Sequence, residues 1–326
     1  MSNFLITGIT GFAGAHLANL LYREGHKVFG LIRRTNGMES DIRDVVPDDV
    51  YNSITFLYGD LTNYRSMRKV FEENEFNGVF HLAAQSHPPT SFHDPIGTME
   101  TNVMGSANLI QVLQDHQPEC KVMFCSTSEV YGNVGQDGRK IHWKYSIVPS
   151  NPYGASKAAT DVYLQERFNN GFLKGFITRA FSHTGPRRGR IFSISSDAYQ
   201  IARMMKGLQS KELLIGNLST TRVVMDVRDT VRAYYLAMMH KDVTNHVFNI
   251  CGDTPRQMQY FTDKLIELSG LDDVVQKIHK PFWRPHEIYY QHGDSSNLVE
   301  LTGFKEEYDI DTTLNDLLKY WYDKIN

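Results

Sequence analysis

Near its start the chain runs from a strand-length apolar segment, Asn3–Thr7 (NFLIT), straight into Gly8, Gly11 and Gly14, three glycines spaced three apart. The residues that follow carry Leu17, Leu20 and Leu21 at helical spacing until Gly25 stops them, predicting a helix over 11–24. A continuous apolar strand followed by a tight turn and a helix is the opening unit of a parallel, doubly wound sheet. Gly8 permits the turn, Gly11 lets backbone approach a pyrophosphate, and Gly14 lets the helix lie close to the sheet. The free N–H groups and positive dipole end of that helix then face the phosphates. Thr7, Phe12 and Ala13 are assigned to the same dinucleotide-binding loop.

The alternation continues. Strands are expected over 27–32, 54–58, 78–82 and 121–126, with helices over 64–74 and 96–116. Strict alternation implies an α/β chain with a parallel sheet between two helical layers. After about residue 180 the pattern loosens, through helices near 194–206, 229–240 and 312–324 and a strand at 246–250. We therefore expect a dinucleotide-binding Rossmann domain over 1–180, rejoined by 226–250, and a smaller mixed α/β substrate domain over 181–326. Composition narrows the class further. The 34 Lys+Arg against 37 Asp+Glu give a net charge of −3, without the strongly basic face that nucleic acid would need. No apolar run approaches the ~18–20 residues of a membrane span, and no secretory signal is recognisable, so a cytoplasmic location is expected. Three cysteines without a CxxC pair make a metal site unexpected.

Which dinucleotide binds is read from the second strand, which ends Leu31-Ile32-Arg33-Arg34 with no acid until Glu39. Two guanidinium groups there suit the 2′-phosphate of NADP; the alternative is a solvated surface pair. Asp60 and Leu61 are placed at the adenine, and Leu82, Ala83 and Ala84 supply small residues against which the cofactor can lie. Tyr153 and Lys157 stand at i and i+4 on a helix that Pro152 helps to start. A nearby ammonium lowers a phenol's pKa, equipping Tyr153 as acid or base on a sugar hydroxyl. Ser126-Thr127-Ser128-Glu129 ends the intervening strand. If the extended geometry persists, Thr127 and Glu129 point the same way, the hydroxyl toward the oxidised centre and the carboxylate toward a second proton. A simple dehydrogenase needs no such base; an eliminating enzyme does.

Together TGITGFAGAHLANLL, VFGLIRRT, HLAAQSH, STSEVYGNV, SNPYGASKAA, GPRRG, GNL and WRPHE resemble the extended short-chain dehydrogenase/reductases, and among them the GDP-mannose 4,6-dehydratases. The resemblance covers nearly the whole chain. It implies that Thr127, Tyr153 and Lys157 form the catalytic group with Glu129 as the base at sugar C5. It further implies that Arg33, His183 and Arg188 contact NADP. Ser86, Arg222, Arg284 and Glu287 match positions that hold a GDP-sugar, and Ser128, Arg187 and Asn217 fall in the segments beside them. Ser182 stands where the family usually has Asn, and Ile96 where dehydratases tend to carry Tyr. The implied activity is conversion of a GDP-sugar to its 4-keto-6-deoxy derivative, in a homodimer or homotetramer. The alternatives are an NADPH-dependent reductase of the 4-keto-6-deoxy sugar, a GDP-heptose dehydratase, and a non-catalytic NADP sensor.

Overall fold

The computed structural model describes residues 1–33, 42–283 and 286–325, so Arg34 and Arg284 lie outside the described residues. Six strands arise in the first 180 residues: β1 (Asn3–Thr7), β2 (Lys27–Ile32), β3 (Thr55–Tyr58), β4 (Gly78–His81), β5 (Lys121–Thr127) and β6 (Gly175–Ala180). There follow β7 (Ser182–Thr184), β8 (Glu212–Ile215), β9 (Thr221–Asp226), β10 (His246–Ile250), β11 (Pro255–Gln257), β12 (Val275–Ile278) and β13 (Tyr290–Gln291). The central sheet runs β10-β6-β5-β4-β1-β2-β3, and every pair in it is parallel. Strand order reverses between β1 and β4, which opens a crevice beyond their carboxyl ends.

The unbroken apolar run of β1 is explained by burial on both faces. Phe4 and Ile6 pack with Leu17 and Leu21 of the helix Phe12–Arg23 and with Val231 and Tyr234 of Val227–Met239. Leu5 faces the other way, toward Met67, Leu109, Leu113 and Leu164 from three further helices. Each such side chain contributes about 1.5–3 kcal/mol by leaving water. At the crevice itself the contact is polar. The buried His81 places Nδ1 2.7 Å from Thr7 Oγ1 and Nε2 2.8 Å from Ser106 Oγ, tying β4 to β1 and to the helix Gly105–His116. Burial, followed by the Lys157 charge, pulls the imidazole pKa down to about 3, so it remains neutral.

The expected continuous helix over 96–116 is interrupted. A short helix, Pro95–Met99, is capped by Asp94, whose Oδ1 accepts from Gly97 N at 2.9 Å. One π-turn, Glu100–Met104, then joins it to Gly105–His116. The π-turn holds Asn102 inward, where Nδ2 donates to Gln85 O (3.0 Å) and Ser156 Oγ (2.9 Å). An apolar pattern of period 3.6 carries no mark of such an insertion.

The second lobe centres on β9, flanked by β11, β13 and β7, with β8 and β12 paired separately. The helices Ser193–Met205, Met258–Ser269 and Ile310–Lys324 share a core around Ile201, Phe261 and Leu314. The segment 135–148 is mostly irregular and touches the second lobe through an Ile141–Gly293 bridge.

Candidate active site

A cavity of about 1000 Å³ runs from the carboxyl ends of the central strands into the second lobe. That is the top of the usual ~300–1,000 Å³ range for small-molecule sites. Its floor is the glycine loop. Gly8 has φ +76°, and a Cβ there would stand 2.8 Å from Ala83 N. A Cβ on Gly14 would stand 2.3 Å from Gly8 O, so the helix needs glycine to lie this close. At Gly11 the one atom within 4 Å of a hypothetical Cβ is Gly8 O, at 3.0 Å, and this N-cap has no side-chain hydrogen bond. The helix thus presents amides toward open space, the geometry a pyrophosphate needs.

Thr7 lies beneath this surface, held by His81 and by Ala83 N (3.3 Å). Phe12, Ala13, Arg33, Asp60, Leu61, Leu82 and Ala84 line the cavity. Arg187 does not line it: its guanidinium donates to Gly11 O (2.7 Å) and Thr10 O (2.8 Å). Those bonds occupy loop carbonyls and add positive charge behind the amides. Arg188 does line it, wedged with its guanidinium carbon 3.5 Å from the Phe192 ring centre and 5.0 Å from that of Phe12. Burial draws this guanidinium down to about 10. His183 stacks on the other ring neighbour, Phe12, at 5.8 Å. With Nδ1 donating to Phe181 O (3.0 Å) and burial lowering its pKa to about 4, His183 is a neutral imidazole. Phe192 was not foreseen; an aromatic four residues after Arg188 was the available signal.

The catalytic side chains converge where β5 meets the helix Pro152–Asn169. The expected extended run from Thr127 to Glu129 is corrected by the structure, because β5 ends at Thr127 and Ser128–Tyr131 is a 3₁₀ turn. Thr127 caps that turn, its Oγ1 accepting from Glu129 N at 3.3 Å. The hydroxyl proton is thereby left to act toward Tyr153, whose ionised form Thr127 favours. Burial pushes the Tyr153 phenol above its usual value, and Thr127 and Arg188 work against it. Burial draws Lys157 down to about 8 while Cys125 and Asp161 hold it up, and its Nζ sits 4.3 Å from the Phe124 ring centre. Thr127, Ser128, Glu129, Tyr153 and Lys157 all line the cavity.

Asn151, absent from the expected site, connects the parts. Its Oδ1 accepts from Gly154 N (2.7 Å) as the helix N-cap, and its Nδ2 donates to Glu129 Oε2 (2.7 Å). The Asn-Pro pair opening the helix was a visible capping signal, though the link to Glu129 was not. Gly154 sets the spacing, since a Cβ there would stand 2.7 Å from Glu129 O. Gly154→Ala should shift the helix against the turn and lower kcat roughly 10–100-fold, on the scale of a 1 Å misplacement. Steady-state kinetics beside an unchanged circular dichroism spectrum would check this, and an unaltered kcat would refute it.

Toward the second lobe, Ser86, Ser182, Asn217, Arg222 and Glu287 line the same cavity. Arg222 and Glu287 meet as a largely buried ion pair at 3.3 Å, and Arg222 also donates to Ile288 O (2.6 Å). Asn217 turns its carbonyl to Ser219, accepting from both N (3.0 Å) and Oγ (2.7 Å). Ile96 is 76% exposed, away from the cavity lining.

Known proteins resemble this chain in sequence and in fold. The family model described as GDP-mannose 4,6 dehydratase matches residues 5–317. A GDP-6-deoxy-D-mannose reductase of Pseudomonas aeruginosa is 29% identical over 325 residues, covering 98% of this chain and 97% of the relative. GDP-mannose 4,6 dehydratase 1 of Arabidopsis thaliana is 29% identical over 314 residues, covering 92% and 84% respectively. Among solved structures, RMD from Pseudomonas aeruginosa complexed with NADPH superposes with a TM-score of 0.83 at 26% identity, covering all of both chains. With the glycine loop, the Tyr153–Lys157 helix and the Glu129 turn assembled on one cavity, and the match running almost end to end, the chain belongs to the GDP-mannose 4,6-dehydratase family.

Proposed function

We propose that this protein is an NADP-dependent nucleotide-sugar 4,6-dehydratase that converts GDP-mannose, or a closely related GDP-sugar, to its 4-keto-6-deoxy derivative. The observation that carries the reading is Glu129, a carboxylate oriented by Asn151 on the same cavity wall as Thr127, Tyr153 and Lys157. NADP, when bound, supplies the hydride acceptor at C4 and the hydride donor at C6. The glycine loop, Arg33, His183 and Arg188 would hold it. Thr127 orients the C4 hydroxyl, and Tyr153 takes its proton while the Lys157 ammonium favours the phenolate. The resulting 4-ketone acidifies C5–H. Glu129 removes that proton and delivers it to the departing C6 hydroxyl, which leaves as water. Tyr153 returns its proton to C5 as C6 is reduced, so the only net loss is one water.

Residues 1–180 with 226–250 would bind the dinucleotide, and 181–326 would mainly grip the nucleotide sugar, with Arg222 facing its diphosphate. A cytoplasmic homodimer or homotetramer fits this reading. No helix among the described residues is long and apolar enough to cross a membrane, and Ile96, Met104 and Val162 are exposed apolar residues, 54–76% accessible, on neighbouring helices. Sedimentation velocity would show a monomer if that assembly is wrong.

A second reading, reduction of a GDP-4-keto-6-deoxy sugar, is favoured by the near-complete overlap with the Pseudomonas aeruginosa reductase. One assay separates the two. A dehydratase converts GDP-mannose with catalytic NADP⁺, giving a 4-keto sugar by NMR. The reductase consumes NADPH mole for mole and leaves GDP-mannose untouched. Conversion of a GDP-heptose but not GDP-mannose would keep the chemistry and move the substrate.

A further inference from the structure

We propose that Asp197 reads the base of the bound nucleotide, its carboxylate accepting from the adjacent N1–H and N2–H groups of a guanine edge. This rests on the GDP-sugar reading above and names the residue that would make it specific. Asp197 stands in the first turns of the helix Ser193–Met205 and is only 3% exposed, yet it lines the cavity. Gly216, Met258 and Phe282 of the second lobe line the same cavity. Its one donor among the described residues is Thr262 Oγ1, 2.7 Å from Oδ2. A buried carboxylate with a single neutral donor is short of hydrogen bonds, and a ligand that supplies them gains the difference. Burial raises this carboxyl to about 7 against the opposing Thr262 bond, consistent with an acceptor that lacks donors.

The carbonyls of the neighbouring amides are already engaged. Asn217 accepts from Ser219, and Gln200 exchanges hydrogen bonds with Leu214 N and O at 2.9 Å each. Gly216 and Phe282 lie against each other, a Cβ on Gly216 standing 3.4 Å from Phe282 Cβ, and give the same cavity an apolar surface on which a base can lie. Among the common bases guanine alone offers two neighbouring N–H donors on one edge. Uracil flanks its single N–H with carbonyl oxygens, and adenine and cytosine place a ring-nitrogen acceptor beside the amine. A carboxylate therefore attracts guanine and repels the others.

The test is calorimetric titration of the intact, NADP-loaded chain with GDP, IDP, XDP, ADP and UDP, for wild type and Asp197→Asn. Wild type should bind GDP about 10-fold tighter than IDP, which lacks the 2-amino group, and at least ~100-fold tighter than ADP or UDP. Asp197→Asn should lose about 100-fold for GDP and bind XDP about 10-fold tighter than wild type does, because an amide can donate to the 2-oxo group. A gain for XDP cannot come from misfolding. Retained GDP preference in Asp197→Asn, or equal binding of GDP and IDP by wild type, overturns the assignment and leaves the dehydratase reading standing. Equal binding of GDP, ADP and UDP by wild type overturns both.

Discussion

Glu129→Gln should lower formation of the 4-keto-6-deoxy product by about 10²–10⁴-fold, the range for loss of a positioned general base. At about 1.4 kcal/mol per tenfold, that is ~3–5.5 kcal/mol of transition-state stabilisation. The substitution preserves shape and keeps an oxygen for the Asn151 amide, which donates to Glu129 Oε2 at 2.7 Å. Thr127, Tyr153 and Lys157 are untouched, so oxidation at C4 should continue and stop there. Mixed with GDP-mannose, the variant should develop the 340 nm absorbance of reduced nicotinamide and hold it, whereas wild type returns to baseline each turnover. Product formation at the wild-type rate would remove Glu129 from the mechanism. A slow product rate with no absorbance at 340 nm would place its role at C4, beside Tyr153. The two observables together separate a base for elimination from a residue that merely shapes the cavity.

What could be read in advance follows from range along the chain. The glycine loop is local: Gly8, Gly11 and Gly14 meet the constraints of one turn and one helix, and these lie within seven residues of each other. The Tyr153–Lys157 pair is equally local, one helical turn apart. Glu129 was legible as chemistry but misjudged as geometry, because the chain leaves the strand at Thr127 and enters a 3₁₀ turn. Arg187 shows the opposite limit. Its residue type suited a diphosphate, but its partners are the carbonyls of residues 10 and 11, 176 positions or more away. Asn151 bonds across 22 positions to Glu129. Such contacts depend on which strand ends the fold brings together, and no spacing rule encodes them. Arg179 does carry a local mark: a charge inside the apolar strand GFITRA can be buried only with a partner.

That partner is Asp161, and the second large effect is expected here. The ion pair is two-pronged, Nε to Oδ2 at 2.9 Å and Nη2 to Oδ1 at 3.0 Å, with the two side chains 3% and 0% exposed. Arg179→Met leaves a carboxylate buried without its cation and should cost about 3–5 kcal/mol, as should Asp161→Leu. The double variant removes both charges and should recover a large part of that loss, giving a coupling energy of a few kcal/mol in urea unfolding. Recovery stays incomplete because each side chain has other partners. Asp161 accepts from Ser126 Oγ at 2.7 Å, and Arg179 donates to Tyr131 Oη (2.9 Å) and Trp143 O (2.7 Å). Additive single effects would show that the pair is not a unit. The consequences reach the chemistry, since Ser126 precedes Thr127 and Asp161 lies one helical turn beyond Lys157. Asp161 is one of the two groups that hold the Lys157 ammonium up against burial, which draws it to about 8. Without that carboxylate the ammonium loses its proton at lower pH, so the alkaline fall in activity should move toward neutrality in Asp161→Leu. Arg179→Met keeps the carboxylate, so its alkaline limb should stay in place even though its stability falls as far. A purely structural role for Asp161 would lower both variants' stability and move neither pH profile.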